Sequence, residues 1–110
     1  MEIKMKEFER KILGKFKSLL EKKLSVHKII LFGSRARGEA SETSDMDVLV
    51  ILEEINSETD LDYVSECGWE SGFEQGIVLV PIVYSRHSWE NSPERSSLLA
   101  LAVEREGMPV

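Results

Sequence analysis

Two short apolar segments, residues 28–32 and 48–52, are joined by a polar stretch that begins with Gly33-Ser34 and ends with two aspartates. Short apolar runs rich in Ile, Val and Leu predict buried strands. Residues two apart on a strand share a face. Asp45 and Asp47 can therefore present both carboxylates to one point, close to the turn that closes the first strand.

Helical patterns surround these strands. Apolar residues at three- and four-residue steps predict a first amphipathic helix over about residues 2–24. A second helix is expected from the N-cap Ser57 to about Gln75. Together these elements predict an α/β (α+β) fold with a small mixed sheet of three to four strands covered by helices.

The remainder of the chain adds one strand and one helix. Residues 77–84 form a third apolar run, and Pro81 within it predicts an edge strand or a bulge, because proline cannot donate a ladder hydrogen bond. Ser92-Pro93 suits the N-cap and first position of a last helix, which Gly107 and Pro109 are expected to end.

Length and composition favour one domain over residues 1–110. No apolar run is long enough to cross a bilayer, and the first residues lack a signal-peptide core. Cys67, the one cysteine, cannot form an intramolecular disulfide, and with two histidines it cannot build a usual structural zinc site. We therefore expect a cytoplasmic location.

Charge is unevenly distributed. Residues 1–38 hold eleven of the fourteen Lys and Arg residues and carry a net +7, whereas residues 39–110 carry −13. The basic part is either a solvated helix face or a surface for phosphates, an RNA segment or an acidic partner. The overall charge of −6 argues against broad duplex binding, so a nucleic-acid partner is disfavoured.

The motifs resemble those of the DNA polymerase β-type nucleotidyltransferase superfamily, and most closely the minimal nucleotidyltransferase (MNT) family. The resemblance is carried by Gly33-Ser34, Ala36-Arg37-Gly38 and Ser44-Asp45-Met46-Asp47. The order of elements is similar over nearly the whole chain. With less specificity, Ser97-Leu98-Leu99 and the segment 105–109 look like the ending of short prokaryotic members.

The residue types are also physically suited to binding a nucleoside triphosphate. Gly33 allows phosphates to approach the backbone, and the amides of the following turn favour an anion. Ser34 adds a hydroxyl donor. Arg37 is expected to form charge-assisted hydrogen bonds to phosphate oxygens, and for Arg35 a phosphate contact and a surface role remain equally open.

Asp45 and Asp47 are the candidate catalytic and metal-binding residues. Carboxylate oxygens are the ligands that Mg²⁺ prefers, and the ion completes its shell from substrate phosphates. Two Mg²⁺ ions with bound nucleotide could clamp the attacking and leaving oxygens of a nucleotidyl transfer.

Two other interpretations of the motif fit its residues less well. Gly33 and Gly38 are spaced as in a Walker loop, but Glu39 stands where that loop needs lysine, which argues against an ATPase of that kind. A purely structural interpretation makes the glycines turn residues and the aspartates solvated residues at a strand entry. It requires the glycine, serine, arginine and acid positions to coincide by accident.

One departure from the resemblance affects the function. Active members of the family generally carry a third carboxylate on a later strand, but residues 77–84 contain no acid, and Val80 or a neighbour takes the aligned position. Glu74 and Glu90 flank the strand without occupying that place.

Three functional hypotheses follow. The first is an Mg²⁺-dependent enzyme that transfers AMP from ATP, or a nucleotide from another NTP, to a hydroxyl of a partner protein. The resemblance implies a HEPN-type partner neutralised in an antitoxin-like role, and permits a homodimer. The second is a catalytically weak or inactive nucleotide-binding protein that neutralises or regulates that partner by docking. Nucleotide addition to RNA is the third.

Overall fold

The computed structural model describes residues 4–41, 45–91 and 97–110. Its helices and strands are interspersed along the chain. In chain order they are α1 (Glu7–Glu21), β1 (Val26–Phe32), β2 (Met46–Leu52), α2 (Glu58–Phe73), β3 (Leu79–Ser85), α3 (Arg86–Asn91), α4 (Leu98–Glu106) and β4 (Met108–Pro109). The expected α/β class with a small mixed sheet is confirmed.

The four strands form one sheet in the order β3-β2-β1-β4. Strand β1 runs antiparallel to β2 and β4, whereas β2 and β3 are parallel. Pro81 lies in β3 at the edge of this sheet, which confirms the sequence expectation. Because β1 and β2 are antiparallel, the last residues of β1 lie beside the first residues of β2.

Helices cover both faces of the sheet. On one face, α1 and α2 pack through residues such as Phe16 and Val64 against Val48 and Val50 of β2. On the other face, Trp89 of α3 and two residues of α4 pack against Leu49 and Ile51. Strand β2 is thus buried on both sides, which makes its N-terminal end a rigid support for Asp47.

Several boundaries differ from the sequence expectations. Helix α1 begins at Glu7 rather than residue 2, because the backbone N–H of Lys6 is held by the Glu9 carboxylate, 2.9 Å away. Helix α4 has Ser97 as its N-cap, and the predicted cap Ser92-Pro93 lies outside the described residues. Within the described ranges, no helix has the length and apolarity needed to span a membrane.

Candidate active site

The end of β1 and the start of β2 bring the glycine-serine turn against a carboxylate. Phe32 is paired with Asp47 in the antiparallel ladder, and Gly33 follows with φ of 78°, a conformation that favours glycine. A Cβ added to Gly33 would lie 2.3 Å from Asp47 Oδ2. Glycine is therefore required twice at this position, once by its dihedral angle and once by the close approach of Asp47.

Backbone hydrogen bonds fold the residues after β1 into a compact turn. The N–H of Arg37 donates to the Gly33 carbonyl over 3.1 Å, and the N–H of Glu39 donates to the Ser34 carbonyl over 2.9 Å. Ser34 is half-buried at the beginning of this turn. Gly38 has φ of 75°, so a second glycine permits the chain to leave the turn.

Arg37 is the exposed cation of the turn. Its Nε donates to Glu39 Oε2 over 3.0 Å, and its Nη1 donates to Glu106 Oε2 over 2.9 Å. The hydrogen bond to Glu39, together with the negative charges of Glu106 and Glu39, raises the pKa of Arg37 above its usual value. The guanidinium therefore stays fully charged beside the carboxylate pair.

Asp47 is half-buried, and its surroundings disfavour its negative charge. Burial raises the pKa of the Asp47 carboxyl, the charges of Asp45 and Glu106 raise it further, and Arg37 acts in the opposite direction. Asp45 is exposed just before β2. Ser44 of the sequence motif lies outside the described residues.

Arg35 occupies a different environment from Arg37. Its side chain is fully buried, its Nη1 donates to Glu9 Oε2 over 3.0 Å, and its guanidinium lies 5.6 Å from the centre of the Phe8 ring. A surface role is thus wrong for Arg35, and its contact with a phosphate stays a prediction. The ion pair connects Arg35 of the turn to Glu9 of α1.

Sequence reasoning did not identify Glu9 and Glu106 as residues of this region. Glu9 has a recognisable signal, because it falls on the same helical stripe as the apolar Met5 and Ile12 and is only 2% exposed. Glu106 belongs to the segment 105–109 that looks like the family ending, but the sequence offers no sign of its contact with Gly33.

Val80 stands where the family resemblance leads us to expect a third carboxylate. In the parallel ladder, Val80 of β3 is the partner of Asp47, so the two side chains share a face of the sheet. Val80 therefore occupies the position next to the Asp pair. Among the described residues, no group of three or more His, Cys, Asp or Glu side chains could hold a metal ion.

The two carboxylates nevertheless suit a divalent cation that also has phosphate ligands. Mg²⁺ is commonly held by one or two carboxylates, with the remaining ligands supplied by substrate phosphates and water. A cation at Asp45 and Asp47 would also offset the like-charge repulsion that raises the pKa of Asp47. The donor set thus fits a metal bound together with a nucleotide.

A mixed sheet with a glycine-serine turn beside the second aspartate of an Asp-x-Asp pair is the arrangement expected of a nucleotidyltransferase. The family pattern described as "Nucleotidyltransferase domain" matches residues 9–97. The chain belongs to this family, within its minimal nucleotidyltransferase branch. The resemblance inferred from the sequence is thereby confirmed, and family membership supports a nucleotidyltransferase activity.

Individual relatives agree with this assignment. The chain is 37% identical over 79 residues to "Putative protein adenylyltransferase MJ0604" of Methanocaldococcus jannaschii, covering 70% of this chain and 74% of that protein. It is 50% identical over 46 residues to "Protein adenylyltransferase MntA" of Thermococcus cleftensis, which is 42% of this chain and 46% of the relative. The second match thus spans less than half of either protein.

A solved structure shares the fold. It is described as "Crystal structure of the toxin-antitoxin with AMP-PNP" and superposes with a TM-score of 0.58 at 19% identity. The alignment covers 87% of this chain and 69% of the other. At this identity the likeness concerns the architecture of the sheet and helices.

Proposed function

We propose that this chain is an Mg²⁺-dependent nucleotidyltransferase that moves AMP from ATP to a hydroxyl group of a partner protein. The close approach of the Gly33 backbone to the Asp47 carboxylate carries the proposal, because a glycine-serine turn suited to phosphates then lies beside a carboxylate suited to a metal ion. Relatives named protein adenylyltransferases support the choice of AMP and of a protein acceptor.

Each residue has a role in this reaction. The turn that begins with Gly33 and Ser34 receives the triphosphate, and Arg37 stabilises the charge that grows on the leaving pyrophosphate. Asp45 and Asp47 would hold two Mg²⁺ ions together with the phosphates. Bound there, the metal would supply positive charge at the reacting phosphate.

The transfer replaces one phosphorus–oxygen bond by another. The acceptor hydroxyl oxygen bonds to the α-phosphorus, the bond from that phosphorus to the bridging oxygen breaks, and pyrophosphate leaves. Because Val80 takes the place beside Asp47, the hydroxyl proton passes to a phosphate oxygen, to water or to a residue of the partner protein. We expect slower transfer than in relatives with a third carboxylate.

The partner we propose is a HEPN-type protein in a toxin-antitoxin pair. The structure that shares this fold is described as a toxin-antitoxin with AMP-PNP, which supports a nucleotide-binding antitoxin role. The chain has few elements beyond the nucleotide site, so the partner would supply most of the surface that recognises the acceptor hydroxyl.

Radiolabel transfer tests the proposal. Purified protein is incubated with Mg²⁺, α-labelled ATP and the protein encoded beside it, and the wild type is compared with Asp45→Asn and Asp47→Asn. Label should appear on the partner and disappear in both variants. Asp62→Asn, an exposed acid on α2, is the matched control and should retain transfer. Transfer that persists in Asp47→Asn would contradict the assigned site.

A second function is favoured by one observation. With Val80 beside Asp47, the described strand β3 brings no third carboxylate to the site, which suits a protein that binds nucleotide and neutralises its partner by docking. The same experiment separates the two. A stable complex with the partner and Mg-ATP binding, without label transfer under Mg²⁺ or Mn²⁺, would support docking and exclude the enzyme.

A further inference from the structure

Glu106, the last residue of α4, contacts both parts of the phosphate-binding turn. Its Oε2 accepts a hydrogen bond from the Gly33 backbone N–H over 2.7 Å and another from Arg37 Nη1 over 2.9 Å. It also lies close enough to Asp47 to raise the pKa of that carboxyl. The Glu106 carboxylate therefore links the backbone of the turn to the Arg37 side chain, and it lies near Asp47, a proposed metal ligand.

The backbone holds Glu106 in this place. Strand β4 pairs with β1 so that Met108 faces Leu31, and continuing this register sets Glu106 level with Gly33. The intervening Gly107 passes so close to its surroundings that an added Cβ would lie 2.4 Å from the Val103 carbonyl oxygen. The position of the carboxylate is thus fixed by the path of the chain from α4 into β4.

The two carboxylates on Arg37 are not equivalent. Glu39 is 63% exposed and two residues away in sequence, whereas the Glu106 side chain is 18% exposed. Solvent screening weakens an exposed ion pair, so the pair with Glu106 restrains the guanidinium more strongly. A guanidinium has five N–H donors, which leaves donors for a phosphate after these two bonds.

We propose that Glu106 is a positioning residue, which holds the Arg37 guanidinium and, through the Gly33 N–H, the backbone of the turn in the arrangement that receives the β- and γ-phosphates of the nucleotide. The inference rests on the proposed nucleotide site. It assigns part of that site to the C-terminal end of α4, far from the sequence motif. It also explains why the chain needs glycine directly after Glu106.

The test compares ligands that differ in their phosphates. Affinities for Mg-ATP and for AMP are measured by isothermal titration calorimetry for the wild type and Glu106→Gln, which keeps an oxygen acceptor but loses the charge. We expect Mg-ATP to bind about tenfold more weakly, equivalent to about 1.4 kcal/mol, and AMP to change less than about twofold. Thermal unfolding identifies any general loss of fold.

Two further variants sharpen the comparison. Glu70→Gln, at an exposed acid on α2 outside the turn, is the matched control and should leave both affinities unchanged. Glu106→Asp keeps the charge and should bind Mg-ATP more tightly than Glu106→Gln. If Glu106→Gln folds poorly, Glu106→Asp is compared with the wild type instead.

Three results would overturn the inference. They are an unchanged Mg-ATP affinity in Glu106→Gln, an equal loss for Mg-ATP and AMP, and tighter Mg-ATP binding, which would mean that Glu106 competes with phosphate. Absence of Mg-ATP binding in the wild type would instead refute the proposed function itself.

Discussion

At Asp47, folding opposes the negative charge that the proposed metal site requires. Its raised pKa means that the folded protein favours the protonated carboxyl, so the charged form destabilises the fold at neutral pH. We expect Asp47→Asn to raise the midpoint of thermal unfolding in metal-free buffer at pH 7. Calorimetry at a series of pH values checks this expectation.

The pH dependence supplies the control for this prediction. Below the pKa of the unfolded state both states carry a protonated Asp47, so the advantage of asparagine is absent there. It grows as pH rises through the pKa of the folded state. Asp45→Asn, an exposed neighbour, should give a smaller gain. A lower midpoint for Asp47→Asn at pH 7 would contradict this account of the site.

Val80 allows the missing carboxylate to be tested directly. Because Val80 and Asp47 are ladder partners on one face, Val80→Asp should place a third carboxylate beside the pair. Mn²⁺ binding in the presence of ATP, followed by electron paramagnetic resonance, should tighten about tenfold. Leu61→Asp, with 38% exposure against 36% for Val80, is the control and should leave Mn²⁺ affinity unchanged.

At the scale of elements, the ion pair of Glu9 and Arg35 ties α1 to the turn. Both side chains are buried, so neutralising Glu9 removes a negative charge that directly contacts the buried Arg35 guanidinium. We expect Glu9→Gln to lower the free energy of unfolding by about 3 kcal/mol, measured by urea denaturation. The double variant Glu9→Leu with Arg35→Met should recover part of this loss. Equal losses in the single and double variants would contradict the buried-charge explanation.

Sequence patterns identified the elements whose apolar runs are long enough to show a period. Strands β1, β2 and β3 and helix α2 were predicted close to their observed bounds, and Pro81 marked the edge. The six-residue α3 and two-residue β4 were not predicted, because such short elements have no measurable period.

The same limit applies to the candidate site. Arg35 and Arg37 are two residues apart in one turn, yet one is buried against Glu9 and the other exposed. Local sequence cannot separate them, since the distinction depends on which helix packs beneath the turn. The Glu106 contact spans 73 residues from Gly33 and depends on the β4 register.

At the scale of the whole molecule, β2 links the two packed layers. Its residues Val48 and Val50 belong to the layer with α1 and α2, whereas Leu49 and Ile51 belong to the layer with α3 and α4. Neither layer can be lost without exposing a face of the same strand. We therefore expect the described fold to unfold as one cooperative unit.

The two tryptophans permit this cooperativity to be measured. Trp89 is buried in the layer with α4, whereas Trp69 is 67% exposed and stacks on Phe73 with ring centres 4.8 Å apart. In Trp69→Phe, Trp89 fluorescence and far-ultraviolet circular dichroism should report the same urea midpoint. Mg-ATP at about 100 times its Kd should stabilise the protein by about 2.7 kcal/mol and shift both signals together. Separate midpoints would show that the layer carrying Glu106 opens independently of the strand that carries Asp47.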